Sequence, residues 1–215
     1  MRSNKQEKII KKNFTKQYWK SDLSSAWHNK RSKDKDVHKN FEIFENSVIN
    51  KIKHLNYDTV IEIGTGAGEL ITQLSKSLHS YRKFIGVDIN KKQIKRNKEK
   101  YFFLSNVEFV HMGFEKYITV NHLNNAVIVS QNTLDYFKEN ELKNILLLIH
   151  SQIENVAILI SGLKSNVGTK GSVDREDADL KVYHHDYYSL LVAAGYEHVD
   201  VTSIEDGSVL ITGSK

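Results

Sequence analysis

Five compact apolar runs, most of them followed by a stretch with helical spacing, organise the chain from residue 58 onward. "DTVIEI", "KFIGVDI", "NVEFVHM", "NAVIVS" and "NVAILISG" are short, rich in Val and Ile, and bounded by polar residues, which predicts buried strands. After the first, "AGELITQLSKSL" sets Leu70, Ile71, Leu74 and Leu78 on one helical face. "NKKQIKRNKEKYFFL" predicts a charged helix with few apolar positions. "KENELKNILLLIHSQI" carries a strong stripe through Leu142, Ile145, Leu146 and Ile149. "HDYYSLLVAAG" predicts a helix ended by Gly195. "HVDVTSI" and "SVLITG" then face each other across Glu205-Asp206-Gly207 as a hairpin. This succession predicts one mostly parallel α/β sheet with helices on both faces and a terminal antiparallel pair.

Ahead of the sheet, residues 4–56 read as two helices, the second presenting Phe41, Phe44, Val48 and Ile52 on one side. The pattern divides the chain into an N-terminal helical arm, residues 1–56, and an α/β domain, residues 57–215. The polar stretch Leu163 to Tyr183 reads as a long loop. It leaves the carboxyl edge of the sheet, where ligands bind in such folds.

Composition narrows the class. The chain of 215 residues has a formal charge of +5, no cysteine and no proline. It therefore has no disulfide or thiolate metal site. There is no apolar run long enough to span a bilayer, and the lysine-rich start lacks the apolar segment of a secretory leader. A cytoplasmic protein without a membrane span is expected. The charge is uneven: residues 1–40 hold twelve Lys and Arg against four Asp and Glu. Such an arm suits phosphates on nucleic acid or on a nucleotide-linked substrate, or else is a solvated helix face.

The densest chemical signal is "VIEIGTGAGEL", Val60 to Leu70, where a strand hands over to a helix through Gly64, Gly66 and Gly68. Free N–H groups and the helix dipole favour a polar or anionic ligand there. A dinucleotide site wants G-x-G-x-x-G, whose third position here is Glu69, so the pattern weighs against NAD. Glu62, two residues before the first glycine, would repel a pyrophosphate but suits an amino group. "FIGVDIN" ends the next strand on Asp88, twenty residues after Gly68. A carboxylate there suits a ribose diol, or alternatively the N-cap of the following helix.

"EIGTGAG" followed by Asp88 resembles the class I S-adenosylmethionine-dependent methyltransferases. The resemblance implies a seven-stranded Rossmann-like sheet of order 3-2-1-4-5-7-6 with the last strand antiparallel. It implies S-adenosylmethionine as cofactor, with Glu62, Gly64, Thr65, Gly66 and Gly68 around its methionine end and Asp88 and Ile89 at its ribose. After the third strand, "HMGFEKY" offers Gly113 and Phe114 to the adenine, with Met112 or Phe114 packing on the ring or in the core. After the fourth, Ser130, Gln131 and Asn132 of "VSQNTLDYF" would line the boundary between cofactor and methyl acceptor. The stretch is neither N-P-P-Y nor N-[LI]-P-Y, and it lacks an Asp suited to a magnesium site, so no metal is expected.

Methyl transfer to a hydroxyl needs a proton acceptor, and to an amine only a neutral nitrogen. Asp135, Tyr136, His184 and His185 are the candidates. Asp135 is equally suited to capping a helix from Lys138, Asp186 to the first turn of the next helix, and His111 to the core. In the arm, Tyr18, Trp19 and Trp27 form an aromatic lid over cofactor and substrate, or a staple onto the sheet. Arg31, Lys33 and Lys35 add charge beside them. The leading expectation is an enzyme methylating O or N of a small molecule, such as a sugar, a nucleotide-linked sugar or a natural product. The alternatives are an RNA or protein methyltransferase using the basic arm, a non-catalytic cofactor-binding subunit and a nicotinamide enzyme.

Overall fold

A computed structural model describes residues 18–21, 35–163, 173–177, 180–204 and 208–215. In chain order the elements are helix α1 (Lys35–Ile52), strand β1 (Thr59–Ile63), α2 (Glu69–Ser77), β2 (Lys83–Asp88), α3 (Lys91–Lys100), β3 (Val107–His111), α4 (Phe114–Val120) and β4 (Asn125–Ser130). A single 3₁₀ turn (Leu134–Tyr136) follows, then α5 (Glu139–Gln152), β5 (Asn155–Leu163), β6 (Val173–Asp177), β7 (Leu180–His184), α6 (Tyr187–Ala193), β8 (His198–Ser203) and β9 (Ser208–Ser214).

Seven strands form one sheet in the order β3-β2-β1-β4-β5-β9-β8. β1 to β5 are mutually parallel, and β9 runs antiparallel to both β5 and β8. With β8 and β9 as its sixth and seventh strands, this is the expected 3-2-1-4-5-7-6 arrangement. The hairpin expected across Glu205-Asp206-Gly207 is present as β8 and β9, though those three residues lie outside the described set.

The stretch expected to be one long loop is not all loop. β6 and β7 pair antiparallel as a separate two-stranded ribbon, Val173 opposite His184 and Asp177 opposite Leu180. Charged residues fill β6, so it lacks the apolar alternation by which a strand is recognised.

The period-two alternation of the strands feeds two cores. Ile61, Ile63, Ile85, Val87 and Ile128 face α4, α5 and α6, where Leu142, Ile145, Leu146 and Ile149 are buried as their spacing requires. On the other face Val60, Phe84, Val127 and Val129 meet α2 and α3, and also Phe44, Val48 and Ile52 of α1. The second arm helix therefore shares the core of the sheet. The Phe41 side chain and the first expected arm helix lie outside the described residues. Among the described residues no helix is long and apolar enough to cross a membrane.

Ile52 is fully buried. Ile52→Ala is expected to destabilise the protein by about 2–5 kcal/mol, the usual cost of deleting a buried Ile side chain. Urea unfolding followed by circular dichroism measures it, and an unchanged midpoint would show that α1 does not hold the core together.

Candidate active site

The glycine corner connects β1 to α2. Gly64, Gly66 and Gly68 all have positive φ, 69°, 48° and 77°. Glycine takes this left-handed region without the strain an L side chain meets. Two of the three positions are also crowded. A Cβ on Gly64 would run into Thr133, and one on Gly68 into the ring of Phe109. The corner is thus bare because the backbone bends left-handedly three times and because neighbouring side chains press on it. The amides of Gly64 and Thr65 both donate to the Val87 carbonyl, at 2.9 and 3.2 Å, which lays the corner against the end of β2.

Asp88 pins that corner. Its Oδ2 accepts the Gly66 N–H at 2.9 Å and its Oδ1 accepts the Asn90 N–H at 2.8 Å. A carboxylate has about four acceptor directions, and the Ile89 backbone also bonds this one, so Asp88 keeps some capacity for a further donor. Burial raises the Asp88 pKa, opposed by these two amides and by His111. The N-cap of α3 is Asn90, whose side chain accepts the Gln93 N–H at 3.0 Å. The capping alternative for Asp88 therefore does not hold.

Glu62 is 5% exposed and accepts a hydrogen bond from the Thr65 hydroxyl at 2.6 Å. Burial pushes its pKa up to about 8, with Thr65 and a backbone bond from Ile71 acting in the opposite direction. The acid is therefore largely protonated at neutral pH in the free protein. Its partner across the sheet is Gly86, where a Cβ would collide with the Thr65 side chain. Gly86 makes the space in which Thr65 reaches back to Glu62. Sequence reading missed it because a lone glycine inside a strand carries no such message.

Three amides of α3, also missed, support the corner from below. The Asn97 side chain donates to the Gly66 carbonyl at 2.8 Å, and Gln93 donates to Asn97 Oδ1 at 3.0 Å. The Asn90 side chain donates to the carbonyls of both Trp19 and Ser21 at 3.0 Å. The aromatic ring of Trp19 meets Tyr136 edge-on, with centroids 4.8 Å apart, and Tyr18 packs edge-on against Trp19. The Tyr18–Ser21 turn thus joins the end of β2 to the segment after β4. Because β1 lies between those strands, the turn bridges the glycine corner. Trp27, Arg31 and Lys33 lie outside the described residues, as does the Lys35 side chain.

At the third strand the expectations divide. Phe114 is 5% exposed and its ring packs in the core. It begins α4, whose buried face it shares with Tyr117 and Ile118. Met112 is only partly buried, against the same cluster. Gly113 is the extended N-cap of α4, φ −70°, and a Cβ there would meet little. His111 is exposed, with Nε2 3.2 Å from the Ile89 carbonyl, and is not a core histidine. Ile89 itself is half-buried beside Asp88.

After β4, the Ser130 hydroxyl and Gln131 Oε1 are buried without a hydrogen-bond partner. Such atoms are costly unless something satisfies them. Asn132 then takes φ 54° and is exposed, its N–H donating to Ser161 Oγ of β5 at 3.1 Å. Asn is among the few residues with a side chain that tolerate this conformation. Ser161 is a further residue the sequence did not single out.

The four candidate proton-transfer residues converge beside this turn. Asp135 lies in the 3₁₀ turn and is not a cap, because α5 starts at Glu139 with Lys138 as N-cap. It accepts the Tyr187 hydroxyl at 2.5 Å. Burial raises its pKa, with the Tyr187 bond and nearby His184 acting to lower it. His185 is buried between the rings of Tyr183 and Tyr187, and burial lowers its pKa. Its Nε2 lies 3.0 Å from the Phe137 carbonyl, so the neutral ring carries its proton on Nε2. Asp186 is the N-cap of α6, accepting the Ser189 N–H at 3.2 Å. Among the described residues no group of three His, Asp or Glu is placed to hold a metal ion.

Solved structures share this architecture. A chain from the complex of the Haloferax volcanii Trm112 methyltransferase activator with a putative methyltransferase aligns with TM-score 0.68 at 15% identity, covering 90% of this chain and 97% of that one. Synechocystis PCC 6803 magnesium protoporphyrin IX methyltransferase, solved with SAM, gives 0.65 at 15% identity, covering 95% and 97%. Human N-acetylserotonin methyltransferase, also solved with SAM, gives 0.63 at 16% identity, covering 80% of this chain and 51% of that one. The present chain thus spans about half the length of the human enzyme. No functionally characterised protein matches at the level of sequence. The model of a methyltransferase domain family matches residues 54–185, more than half of the chain. The chain belongs to that methyltransferase domain family.

Proposed function

We propose that the chain binds S-adenosylmethionine at the glycine corner and moves its methyl group to an oxygen or nitrogen of a small molecule. The observation that carries this reading is the pair of acids flanking the corner. Asp88 has acceptor capacity for a sugar diol, and Glu62 is a buried acid that a cationic group would ionise. The unsatisfied Ser130 hydroxyl and Gln131 carbonyl add polar atoms at the methionine side, so the residues present fit the cofactor.

When bound, the cofactor supplies an electrophilic methyl group on a positively charged sulfur. Everything else falls to the chain. Gly64, Thr65, Gly66 and Gly68 bring the backbone close, Asp88 and Ile89 hold the sugar, and Glu62 holds the amino group. Gly113 leaves the adenine edge open beside Met112. The Tyr18–Ser21 turn, with Trp19 against Tyr136, excludes water from the corner. Asn132 and Tyr136 face the acceptor, and orientation of that acceptor is the protein's main contribution. For a hydroxyl acceptor, Asp135 beside His184 takes the proton, with the Tyr187 hydroxyl fixing the carboxylate. His185 is buried between two tyrosines and shapes this pocket from behind. A roof made of the arm's own aromatic rings suits a small acceptor; a nucleic acid would have to displace the Trp19–Tyr136 contact.

Two measurements test the reading. Asp88→Ala is expected to weaken adenosylhomocysteine binding by about 1.5–3 kcal/mol in isothermal calorimetry, the scale of hydrogen bonds to a charged group. Unchanged affinity would remove Asp88 from the site. The second concerns pH. Glu62 has its pKa near 8 in the free protein, and a cation beside it lowers that value. Binding at pH 7 should therefore release a proton, and affinity should rise with pH up to about 8, where free Glu62 is itself ionised. Calorimetry in buffers of different ionisation enthalpy counts the proton. Glu62→Gln should abolish most of the release, and an identical count in the variant would place the ammonium elsewhere.

A further inference from the structure

Asn90 is 2% exposed, Gln93 3% and Asn97 1%; Asn90 caps α3 and the other two lie on its buried side. Their amides form a continuous array. It starts at the Gly66 carbonyl, passes through Asn97 and Gln93, and reaches Asn90 through the Gln93 backbone N–H. It ends on the carbonyls of Trp19 and Ser21, both accepting from Asn90 Nδ2. Five hydrogen bonds hold the array in place, and Gln93 Oε1 is buried within it without a partner. One end of it is the cofactor corner and the other is the arm.

Building on the cofactor assignment above, we propose that Asn90 is a positioning residue that latches the Tyr18–Ser21 turn over the bound cofactor and so sets how long the cofactor is retained. The residue sits two positions after Asp88, and its own N–H is one of the two donors that orient the Asp88 carboxylate. The segment Asp88-Ile89-Asn90 therefore holds the sugar through one side chain and the arm through another. Seating the sugar on Asp88 and closing the turn stabilise the same backbone, so each favours the other. Trp19 carries the effect across the corner to Tyr136, where the acceptor binds. Ligand entry and product release both require Asn90 to let go of two carbonyls, which makes this latch a gate on turnover.

The two roles of the Asn90 side chain are separable. Its oxygen caps α3, and its nitrogen holds the arm. Asn90→Ser keeps a good N-cap acceptor for the Gln93 N–H and removes the donor that reaches Trp19 and Ser21. The test uses the full chain with Trp27→Phe, so that Trp19 is the sole tryptophan, and adenosylhomocysteine as ligand. Stopped-flow fluorescence gives the association and dissociation rates. Asn90→Ser is expected to retain the melting temperature, to show red-shifted Trp19 emission before ligand is added, and to bind about 5–30-fold more weakly. Most of the loss should lie in faster dissociation, as expected for two lost hydrogen bonds. A purely structural role would lower the melting temperature without changing the ratio of the two rates. If the Trp27→Phe protein binds the ligand and Asn90→Ser matches it in emission and both rates, the latch is wrong and the cofactor site stands. Absence of binding by the unsubstituted chain overturns the cofactor reading and the latch with it. Should Asn90→Ser fail to fold, hydrogen exchange on the unsubstituted chain decides. Ligand should slow exchange across Tyr18–Ser21, and an unchanged rate there contradicts the latch.

Discussion

The Asp88 carboxylate is the fixed point of this site. It ends β2, accepts one amide from the glycine corner and another from the start of α3, and is held part-buried while it does so. Two segments 22 positions apart in the chain meet on the two oxygen atoms of one side chain. Without that clamp the corner between β1 and α2 would be tied to the sheet through the Val87 carbonyl and the Thr65 hydroxyl on Glu62. Three left-handed glycines in five residues are intrinsically loose, and glycine loses more freedom on folding than any other residue. The clamp, the Asn97 amide on Gly66 and the side chains of Thr133 and Phe109 supply what the bare backbone lacks.

The second acid works in the opposite sense. Glu62 is buried in a strand, bonded by the Thr65 hydroxyl and the Ile71 backbone, and its pKa is pushed up to about 8. A structural acid could stay neutral there indefinitely. Next to an ammonium it changes state, and the cost of burying it as a neutral group becomes binding selectivity for a cation. In the proposed reading Asp88 takes hydroxyls and Glu62 takes charge, and the geometry of β1 and β2 sets the distance between the two. The strand pairing of Glu62 with Gly86, and the Thr65 side chain folded over that glycine, fix Glu62 relative to the corner.

Much of this was legible in the chain because it is written locally. The strand runs, the three glycines, Asp88 at a strand end and the Leu142–Ile149 stripe are each recognisable within about fifteen residues, and all are found where expected. The order of the strands came from resemblance, since periodicity fixes which residues pair with a face but not which strands are neighbours. What escaped were interactions between distant segments. Gly86, Asn97, Phe109, Thr133 and Ser161 matter to the site through partners 21 to 69 positions away, and their local context is ordinary. Phe114 fell to the core because a helix start at the sheet edge has an inner face, which a motif comparison does not show. The β6–β7 ribbon was read as loop because β6 is charged nearly throughout and β7 is only five residues long. Asn90 was passed over because it stands beside a more conspicuous aspartate.

The most direct test of the account is a crystal structure of the full chain grown with adenosylhomocysteine. The account predicts both ribose hydroxyls on Asp88, the ammonium group beside Glu62 and the Tyr18–Ser21 turn seated across the ligand. Ligand bound away from the glycine corner, with Glu62 still closed on Thr65 alone and Asp88 touching only Gly66 and Asn90, would contradict it.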